Sequence, residues 1–240
     1  MPQETRAVLF DFGGTLFDYA DLARAQFDTL AALARRIGVA DDPGTLAAAH
    51  RRAASRVFRE YLPRPYYLHE DLFGDTVRET GRELGRPLDD EDVAFWFAEQ
   101  FRNRARDFRL REGVTETLAA LRDRGLHLGM VSNIDDADLH HLVDLGELRP
   151  FFDSLLSSEA AGSCKPDPRI FDVALERAGC APGEALFVGD TIAQDVVGAN
   201  RRGMRSVLLW HRDDKRPPEG EERPHHVVRR IPDLLDLLDG

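Results

Sequence analysis

The sequence predicts an α/β fold in which a doubly wound parallel sheet carries an inserted α-helical segment. Short apolar runs alternate with helical patterns after about residue 109, which is typical of parallel strands joined by right-handed crossover helices. Residues 18–108, in contrast, contain helical patterns and no convincing strand. We therefore expect a core made of residues 1–17 and 109–240, and a helical cap, residues 18–108, over the carboxyl edge of the sheet.

The first predicted strand, Ala7–Phe10, leads directly into Asp11 and is followed by Gly13 and Gly14. A short apolar run bounded by glycines favours a strand that is buried on both faces. A carboxylate at the end of such a strand lies at the carboxyl edge, where open α/β sheets bind ligands. Asp11 is therefore the first candidate site residue, and the glycines allow a sharp turn beside it.

The inserted segment predicts four helices, because its apolar side chains recur at helical spacing. In the fourth helix, Val93, Phe97 and Phe101 should pack against the other helices. A loop with two prolines between the second and third helices contains Arg64, which could bind an anion, and His69, which could serve as an acid. A solvated loop position is the favoured interpretation for both residues, and the functional roles are the alternative.

Five further strands are predicted after the inserted segment, and polar side chains follow two of them. Ser132 and Asn133 come after the second strand of the chain, and Asp190 comes after the fourth. Parallel strands end at one edge of a sheet, so these side chains should lie near Asp11. The predicted strands cover residues 126–131, 152–156, 185–188, 206–210 and 226–228.

Two further candidates lie between or after these strands. Lys165 is on a loop predicted at residues 157–168, and Asp195 is on a helix predicted at residues 192–202. Only two of the 32 basic residues are lysines, so a retained lysine is a weak sign that a compact ammonium is needed. A polar, proline-rich loop is predicted at residues 211–224.

The composition excludes several classes of protein. A net charge of −11 and an isoelectric point near 5.2 argue against binding to nucleic acids or to anionic membranes. No apolar run is long enough for a membrane span, and the first six residues lack a signal-peptide core. Cys164 and Cys180 are interpreted as reduced thiols, so we expect a cytoplasmic protein. The sequence predicts no particular oligomeric state.

The candidate residues favour metal-assisted phosphoryl chemistry. Two or three carboxylates with little nitrogen or sulfur suit a hard cation, and Mg²⁺ is the usual choice beside phosphate. A carboxylate such as Asp11 can act as a nucleophile and form an aspartyl-phosphate. A hydroxyl group and an ammonium, here those of Ser132 and Lys165, can neutralise charge on the transferring group.

In this order the residues resemble the motifs of the haloacid dehalogenase superfamily, most of whose members are Mg²⁺-dependent phosphatases. The resemblance covers almost the whole chain and implies a Rossmann-like core with a helical cap. The first motif resembles FDFGGTL at residues 10–16, which implies that Asp11 is the nucleophile. The second resembles MVSN at residues 130–133, which implies that Ser132 and Asn133 bind the substrate.

The third and fourth motifs imply the remaining roles. The third resembles Lys165 followed by a proline, which implies that Lys165 balances charge on the nucleophile and the phosphate. The fourth resembles Asp190 with Asp195, which implies that Asp190 binds Mg²⁺ and that Asp195 supports either the metal or Lys165. The backbone carbonyl of Gly13 occupies a position that binds the metal in this superfamily.

Gly13 departs from the pattern of the superfamily's phosphatases, which usually have a second Asp at this position. That Asp protonates the leaving group and later activates water, a contribution of roughly 10²- to 10⁴-fold in rate. Three alternatives follow for this chain. The leaving group needs little protonation, the cap supplies the acid, or the protein is a poor catalyst.

The most favoured function is hydrolysis of a small phosphorylated metabolite, and other functions remain as alternatives. A 2-haloacid dehalogenase lacks the acidic metal ligand that Asp190 provides here. Phosphonate cleavage in the superfamily needs a lysine from the cap, and residues 18–108 contain none. A phosphate- and metal-binding regulatory module is the non-enzymatic alternative. The identity of the substrate is not predicted.

Overall fold

The computed structural model describes residues 4–39, 42–210 and 219–239. The chain divides into two compact units. The α/β unit consists of Met1–Asp18 and Arg109–Gly240, and the helical unit consists of Tyr19–Phe108. Most of the loop predicted at residues 211–224 lies outside the described residues.

A six-stranded parallel sheet forms the centre of the α/β unit. The strands are β1 (Ala7–Phe10), β2 (His127–Ser132), β3 (Ser154–Ser157), β4 (Ala185–Gly189), β5 (Arg205–Leu209) and β6 (His226–Val228). Their order is β3-β2-β1-β4-β5-β6, with every neighbouring pair parallel. This arrangement confirms the predicted doubly wound α/β fold. All four residues of β1 are fully buried, as expected for a strand with neighbours on both sides and apolar side chains on both faces.

Helices connect these strands, and two of them differ from prediction. The helices of the α/β unit are α5 (Val114–Asp123), α6 (Asp136–Leu145), α7 (Ser158–Ala161), α8 (Pro168–Ala178), α9 (Val197–Arg201) and α10 (Asp233–Asp239). The segment predicted as a loop at 157–168 contains the short helix α7, because the Ser157 hydroxyl accepts a hydrogen bond from the Ala160 N–H. The helix predicted at 192–202 begins with a π-helical turn, Ile192–Val196, in which the Val196 N–H reaches the Thr191 carbonyl.

The helical unit contains four α-helices and, among its described residues, no strand. They are α1 (Ala23–Arg36), α2 (Pro43–Tyr61), α3 (His69–Glu83) and α4 (Asp90–Asp107). Helix α1 packs on α4, and α2 packs on α3. Asp42 and Asp89 cap α2 and α4 by accepting backbone N–H bonds from Thr45 and Asp92. Within the described parts of the chain, no helix is both long and apolar enough to cross a membrane. That these four helices cap the sheet stays a prediction.

The apolar face of α4 is centred on Trp96. Val93 and Trp96 are buried against Leu33 and Val77, whereas the Phe101 side chain is 49% exposed. The prediction that Phe101 packs the bundle is therefore wrong. Five residues advance an α-helix by about 140° beyond a full turn, so a face centred on Trp96 turns Phe101 toward solvent.

Candidate active site

The ends of three adjacent strands position the candidate residues. In the parallel register, Phe10 of β1 pairs with Met130 of β2 and with Val188 of β4. Ser132 is the last residue of β2, and Asp190 follows the last residue of β4. Ser132 is almost fully buried.

Lys165 is the buried cation of the site. Its Nζ donates hydrogen bonds to Asp11 Oδ1 at 2.6 Å and to Asp195 Oδ1 at 2.8 Å, and its side chain is only 1% exposed. Burial alone would lower the pKa of Lys165, but the two adjacent carboxylates outweigh that effect and raise it above its usual value. Lys165 is therefore a permanent positive charge near neutral pH and does not exchange a proton there.

Asp11 is a buried carboxylate whose oxygens have different partners. Oδ1 accepts from Lys165, and Oδ2 accepts from the Thr15 hydroxyl at 2.9 Å. Burial raises the pKa of Asp11 to about 6; Lys165 opposes this shift and Asp195 adds to it. Asp11 is thus ionised at neutral pH, and its charge is only partly balanced by Lys165, which also neutralises Asp195.

Asp190 is the carboxylate with an unused oxygen. Its Oδ1 is buried and has no hydrogen-bond partner among the described residues. Burial, followed by the nearby Asp11 and Asp195 charges, raises the pKa of Asp190 to about 7. An unpartnered buried carboxylate oxygen is costly, and a cation would satisfy it.

The donor set fits a hard divalent cation. Asp11, Asp190 and Asp195 each offer one carboxylate oxygen, and these atoms lie within 4.8 Å of one another. Carboxylate oxygens are the ligands that Mg²⁺ prefers. The unpartnered Asp190 oxygen is a second observation that fits a cation beside this cluster.

Asp195 already has partners on both oxygens. Oδ1 accepts from Lys165, while Oδ2 accepts the Thr191 N–H at 2.9 Å and the Thr191 hydroxyl at 2.5 Å. Of the two roles left open by the sequence, support of Lys165 is thus visible in the contacts. A role for Asp195 as a direct metal ligand stays a prediction.

Gly14 brings the backbone close to Asp190. Its φ of +87° lies in the left-handed region, and a Cβ at this position would overlap the Asp190 carboxylate. Gly13 is not among the residues with positive φ. Gly14 is therefore required by backbone conformation and by space, whereas the conformation of Gly13 does not by itself demand glycine.

Asn133 holds the backbone of Lys165. Its Oδ1 accepts the Lys165 N–H at 2.7 Å, and its Nδ2 donates to the Lys165 carbonyl at 3.0 Å. The side-chain amide is thus engaged with the chain itself. Substrate binding by Asn133 stays a prediction, and its side chain would first have to leave Lys165. Positioning of Lys165 by Asn133 was missed from the sequence, since the two residues are far apart in it.

Arg111 is a site-adjacent residue that the sequence analysis missed entirely. Its guanidinium donates from Nε and Nη2 to the Gly14 carbonyl, at 3.2 and 2.8 Å. No local spacing pattern marks this contact, because the two residues are 97 positions apart.

The helical unit contains the two other candidates, and the structure places His69 in α3 and not in the predicted loop. Arg64 lies over the Tyr61 ring, 4.0 Å from its centroid. His69 begins α3 and stacks on Tyr67. Burial, followed by the nearby Arg104 charge, lowers the pKa of His69 to about 4. At neutral pH His69 is therefore uncharged and has no imidazolium proton to donate to a leaving group.

The chain belongs to the family of haloacid dehalogenase-like hydrolases, because a sequence profile of this family matches residues 5–203. The superfamily resemblance of the motifs is thereby confirmed. The chain is 34% identical over 243 residues to haloacid dehalogenase-like hydrolase domain-containing protein 3 of Mus musculus. This alignment covers 98% of the chain and 94% of that protein.

Two further comparisons extend this relationship. Glyceraldehyde 3-phosphate phosphatase of Methanothermobacter thermautotrophicus is 30% identical over 213 residues, covering 85% of each chain. A solved structure of a HAD phosphatase from Thermococcus onnurineus superimposes with a TM-score of 0.70 at 26% identity, covering 98% of this chain and 99% of that one.

Proposed function

We propose that this hydrolase is a Mg²⁺-dependent phosphatase of small phosphorylated metabolites, with Asp11 as the nucleophile. The observation that carries the proposal is the buried cluster of Asp11, Lys165 and Asp195 beside the orphaned Asp190 oxygen. The phosphatase named among the similar proteins supports the same reaction class. Glyceraldehyde 3-phosphate is the substrate in that protein's name, and the proposal for this chain extends only to the class of phosphorylated metabolites.

Asp11 would attack phosphorus, so that the bond to the leaving oxygen breaks and an aspartyl-phosphate forms. Water would then attack the same phosphorus, release inorganic phosphate and restore the Asp11 carboxylate. Lys165 keeps its proton throughout and neutralises charge on Asp11 and on the phosphoryl oxygens. The Ser132 hydroxyl would donate a hydrogen bond to a phosphoryl oxygen.

Asp11, Asp190 and the Gly13 carbonyl would hold Mg²⁺, with Asp195 as a further candidate ligand. When bound, Mg²⁺ supplies positive charge that offsets the carboxylates and the phosphoryl oxygens. The orphaned Asp190 oxygen supports this assignment.

Gly13 shapes the range of substrates. Without a carboxyl side chain at this position, the α/β unit has no counterpart of the usual acid at Gly13 to protonate the leaving oxygen. His69, uncharged at neutral pH, is a poor replacement. We therefore propose a preference for substrates whose leaving group is stable without protonation, such as acyl and aryl phosphates.

A leaving-group series tests this proposal. Acetyl phosphate, aryl phosphates of graded leaving-group pKa and a simple alkyl phosphate are assayed with Mg²⁺ and with EDTA. We expect turnover to require Mg²⁺, to fall steeply as leaving-group pKa rises, and to be lost in Asp190→Asn. Hydrolysis of these phosphates that persists in EDTA would contradict the proposed Mg²⁺ dependence, and the absence of hydrolysis with Mg²⁺ would contradict the phosphatase proposal and leave the dehalogenase alternative.

The matched variant is Gly13→Asp, which restores the carboxyl group of the superfamily's phosphatases. It should raise the ratio of alkyl to aryl turnover, although a new anion near Asp11 lowers the absolute rates. Ratios between leaving groups are therefore compared, with melting temperature measured in parallel. A flat leaving-group dependence in the unsubstituted protein would show that another group provides the proton.

A further inference from the structure

We propose that Arg111 is a positioning residue, whose guanidinium fixes the Gly13–Gly14 turn and thereby the spacing between Asp11 and Asp190. This inference rests on the proposed function only for its consequence in Mg²⁺ binding. That Arg111 holds the turn in place is a separate claim, and hydrogen exchange tests it without Mg²⁺.

The contacts of Arg111 use three of its nitrogens in one plane. Nε and Nη2 converge on the Gly14 carbonyl, and Nη1 forms an ion pair with Asp18 at 3.0 Å. The Arg111 backbone N–H also donates to the Leu16 carbonyl at 2.9 Å. The Arg111 side chain is 19% exposed, so these bonds are largely shielded from water. Arg111 therefore binds the turn after Asp11 through its own guanidinium and its own backbone N–H.

The turn itself is closed by short backbone hydrogen bonds. The Gly14 N–H donates to the Phe17 carbonyl at 2.9 Å, and the Leu16 N–H donates to the Phe12 carbonyl at 2.8 Å. These bonds tie the turn to itself. The Gly14 carbonyl has two described hydrogen bonds, and Arg111 donates both of them. These bonds connect the turn to the part of the α/β unit that follows residue 109.

A small displacement of this turn would reach the acidic cluster directly. Gly14 lies so close to Asp190 that a single added carbon would overlap its carboxylate. Asp11 lies at the start of the same turn, and the Gly13 carbonyl lies within it. Mg²⁺ requires near-ideal octahedral geometry, so its affinity should report movements of this turn.

Arginine is needed for this arrangement because its donors form a rigid planar fork. Arg111→Lys retains a positive charge for Asp18 but cannot donate two bonds to Gly14 while keeping that ion pair in the same geometry. Asp18→Asn makes the reciprocal change, since it removes the ion pair and leaves the Gly14 contact. Together the two variants distinguish the contribution of the paired hydrogen bonds to Gly14 from that of the ion pair with Asp18.

The test compares these variants with a matched arginine in the same unit. Arg122 also donates to a carbonyl, that of Phe151, and to an aspartate, Asp153. It makes no described contact with the acidic cluster. Both of these bonds come from the single nitrogen Nη1, so Arg122→Lys is the control for the loss of an arginine side chain elsewhere in the α/β unit.

Hydrogen exchange of residues 11–17 and Mg²⁺ affinity by calorimetry are measured on the free protein, and kcat and KM are measured with an aryl phosphate. For Arg111→Lys we expect faster exchange at Gly14 and Leu16, and Mg²⁺ affinity and kcat each about tenfold lower with KM little changed. Asp18→Asn should show a smaller change in each quantity. Arg122→Lys should match the unsubstituted protein.

Exchange and Mg²⁺ affinity that are unchanged in Arg111→Lys would overturn the inference. Equal losses in Arg111→Lys and Arg122→Lys would overturn it as well, because they would indicate a general effect on stability. If the unsubstituted protein neither binds Mg²⁺ nor hydrolyses phosphates, the proposed function fails, and the exchange comparison still decides whether Arg111 holds the turn.

Discussion

The two units of the chain bury different kinds of polar side chain. Among the described residues of the α/β unit, three charged ones are buried: Asp11, Lys165 and Asp195. The described buried polar side chains of the helical unit are threonines, and each donates its hydroxyl to the carbonyl four residues earlier. These threonines are Thr29, Thr76 and Thr80.

This difference indicates that the buried polar groups of the two units serve different purposes. Buried charges are expensive even when paired, so such a cluster is weak evidence for stability and good evidence for a functional site. The described ion pairs of the helical unit are at its surface, as in Arg52 with Glu83, and surface ion pairs add little to stability. The helical unit is therefore held together mainly by apolar packing, whereas the α/β unit contains a buried charged cluster for which we propose a catalytic role.

The largest effect is expected at Lys165. Lys165→Met leaves Asp11 and Asp195 buried without their cation, which should lower the free energy of unfolding by about 3–5 kcal/mol and abolish turnover. Lys165→Arg keeps the charge but inserts a larger group into a site that is 1% exposed. It should lose most activity and about 1–3 kcal/mol of stability.

Urea titrations and kinetics with an aryl phosphate measure both effects at Lys165. Lys215→Arg is the control variant, because Lys215 is the other lysine of the chain and belongs to none of the four motifs. Near-normal kinetics in Lys165→Arg would show that a compact ammonium is unnecessary.

A second effect is expected in the helical unit, where chemistry should be unaffected. Trp96 is 2% exposed and packs with Leu33, Val77 and Val93. Trp96→Ala should lower the free energy of unfolding of the helical unit by about 3–5 kcal/mol. Trp96→Phe should cost less, because it keeps an aromatic ring and removes an indole N–H that is buried without a described partner.

Differential scanning calorimetry and Mg²⁺ titration distinguish the two units in these variants. We expect a lower melting temperature for Trp96→Ala and an unchanged Mg²⁺ affinity at temperatures where it is folded. A Mg²⁺ affinity that falls together with the melting temperature would contradict the claim that the core of the helical unit does not affect the acidic cluster.

The third effect is smaller and depends on pH. In the metal-free protein the pKa of Asp190 is raised from its usual 3.8 to about 7, and that of Asp11 to about 6. Each carboxyl group then binds its proton more tightly in the folded state than in the unfolded state, where its pKa is near 3.8. The free energy of unfolding therefore falls as pH rises from about 4 to about 7. For Asp190 alone the loss between pH 5 and pH 7 should be about 2 kcal/mol.

Melting temperatures in EDTA at pH 5 and pH 7 measure this dependence. Asp190→Asn should show a smaller difference between the two pH values, and saturating Mg²⁺ should weaken the difference, because the cation replaces the protons. The same pH dependence in Asp190→Asn and in the unsubstituted protein would show that Asp190 is not the responsible group.

Much of the α/β unit could be predicted because its signals are local. The apolar run before Asp11 and the run before Asp190 each end in a carboxylate, and parallel strands bring such ends to one edge. The fold therefore follows from short segments taken one at a time.

Contacts between distant segments could not be predicted in this way. The fork from Arg111 to Gly14 joins residues 97 positions apart, and nothing near either residue marks it. The motif resemblance implied that Asn133 binds the substrate, but an amide can bind a phosphate or a backbone equally well, and its bonds to Lys165 are visible only in the structure. In α4, Trp96 and Phe101 are both aromatic, so the rotation of the helix, which the sequence did not specify, decides which is buried.

The most direct test of the account is to trap the phosphorylated nucleophile. The protein is mixed with acetyl phosphate and Mg²⁺, quenched in acid during turnover and digested, and the peptide containing Asp11 is analysed by mass spectrometry. We predict one phosphoryl group on Asp11, absent in EDTA and absent in Asp11→Asn. Steady hydrolysis without phosphorylation of that peptide, or equal hydrolysis by Asp11→Asn, would contradict the central claim that Asp11 is the nucleophile of a Mg²⁺-dependent phosphatase.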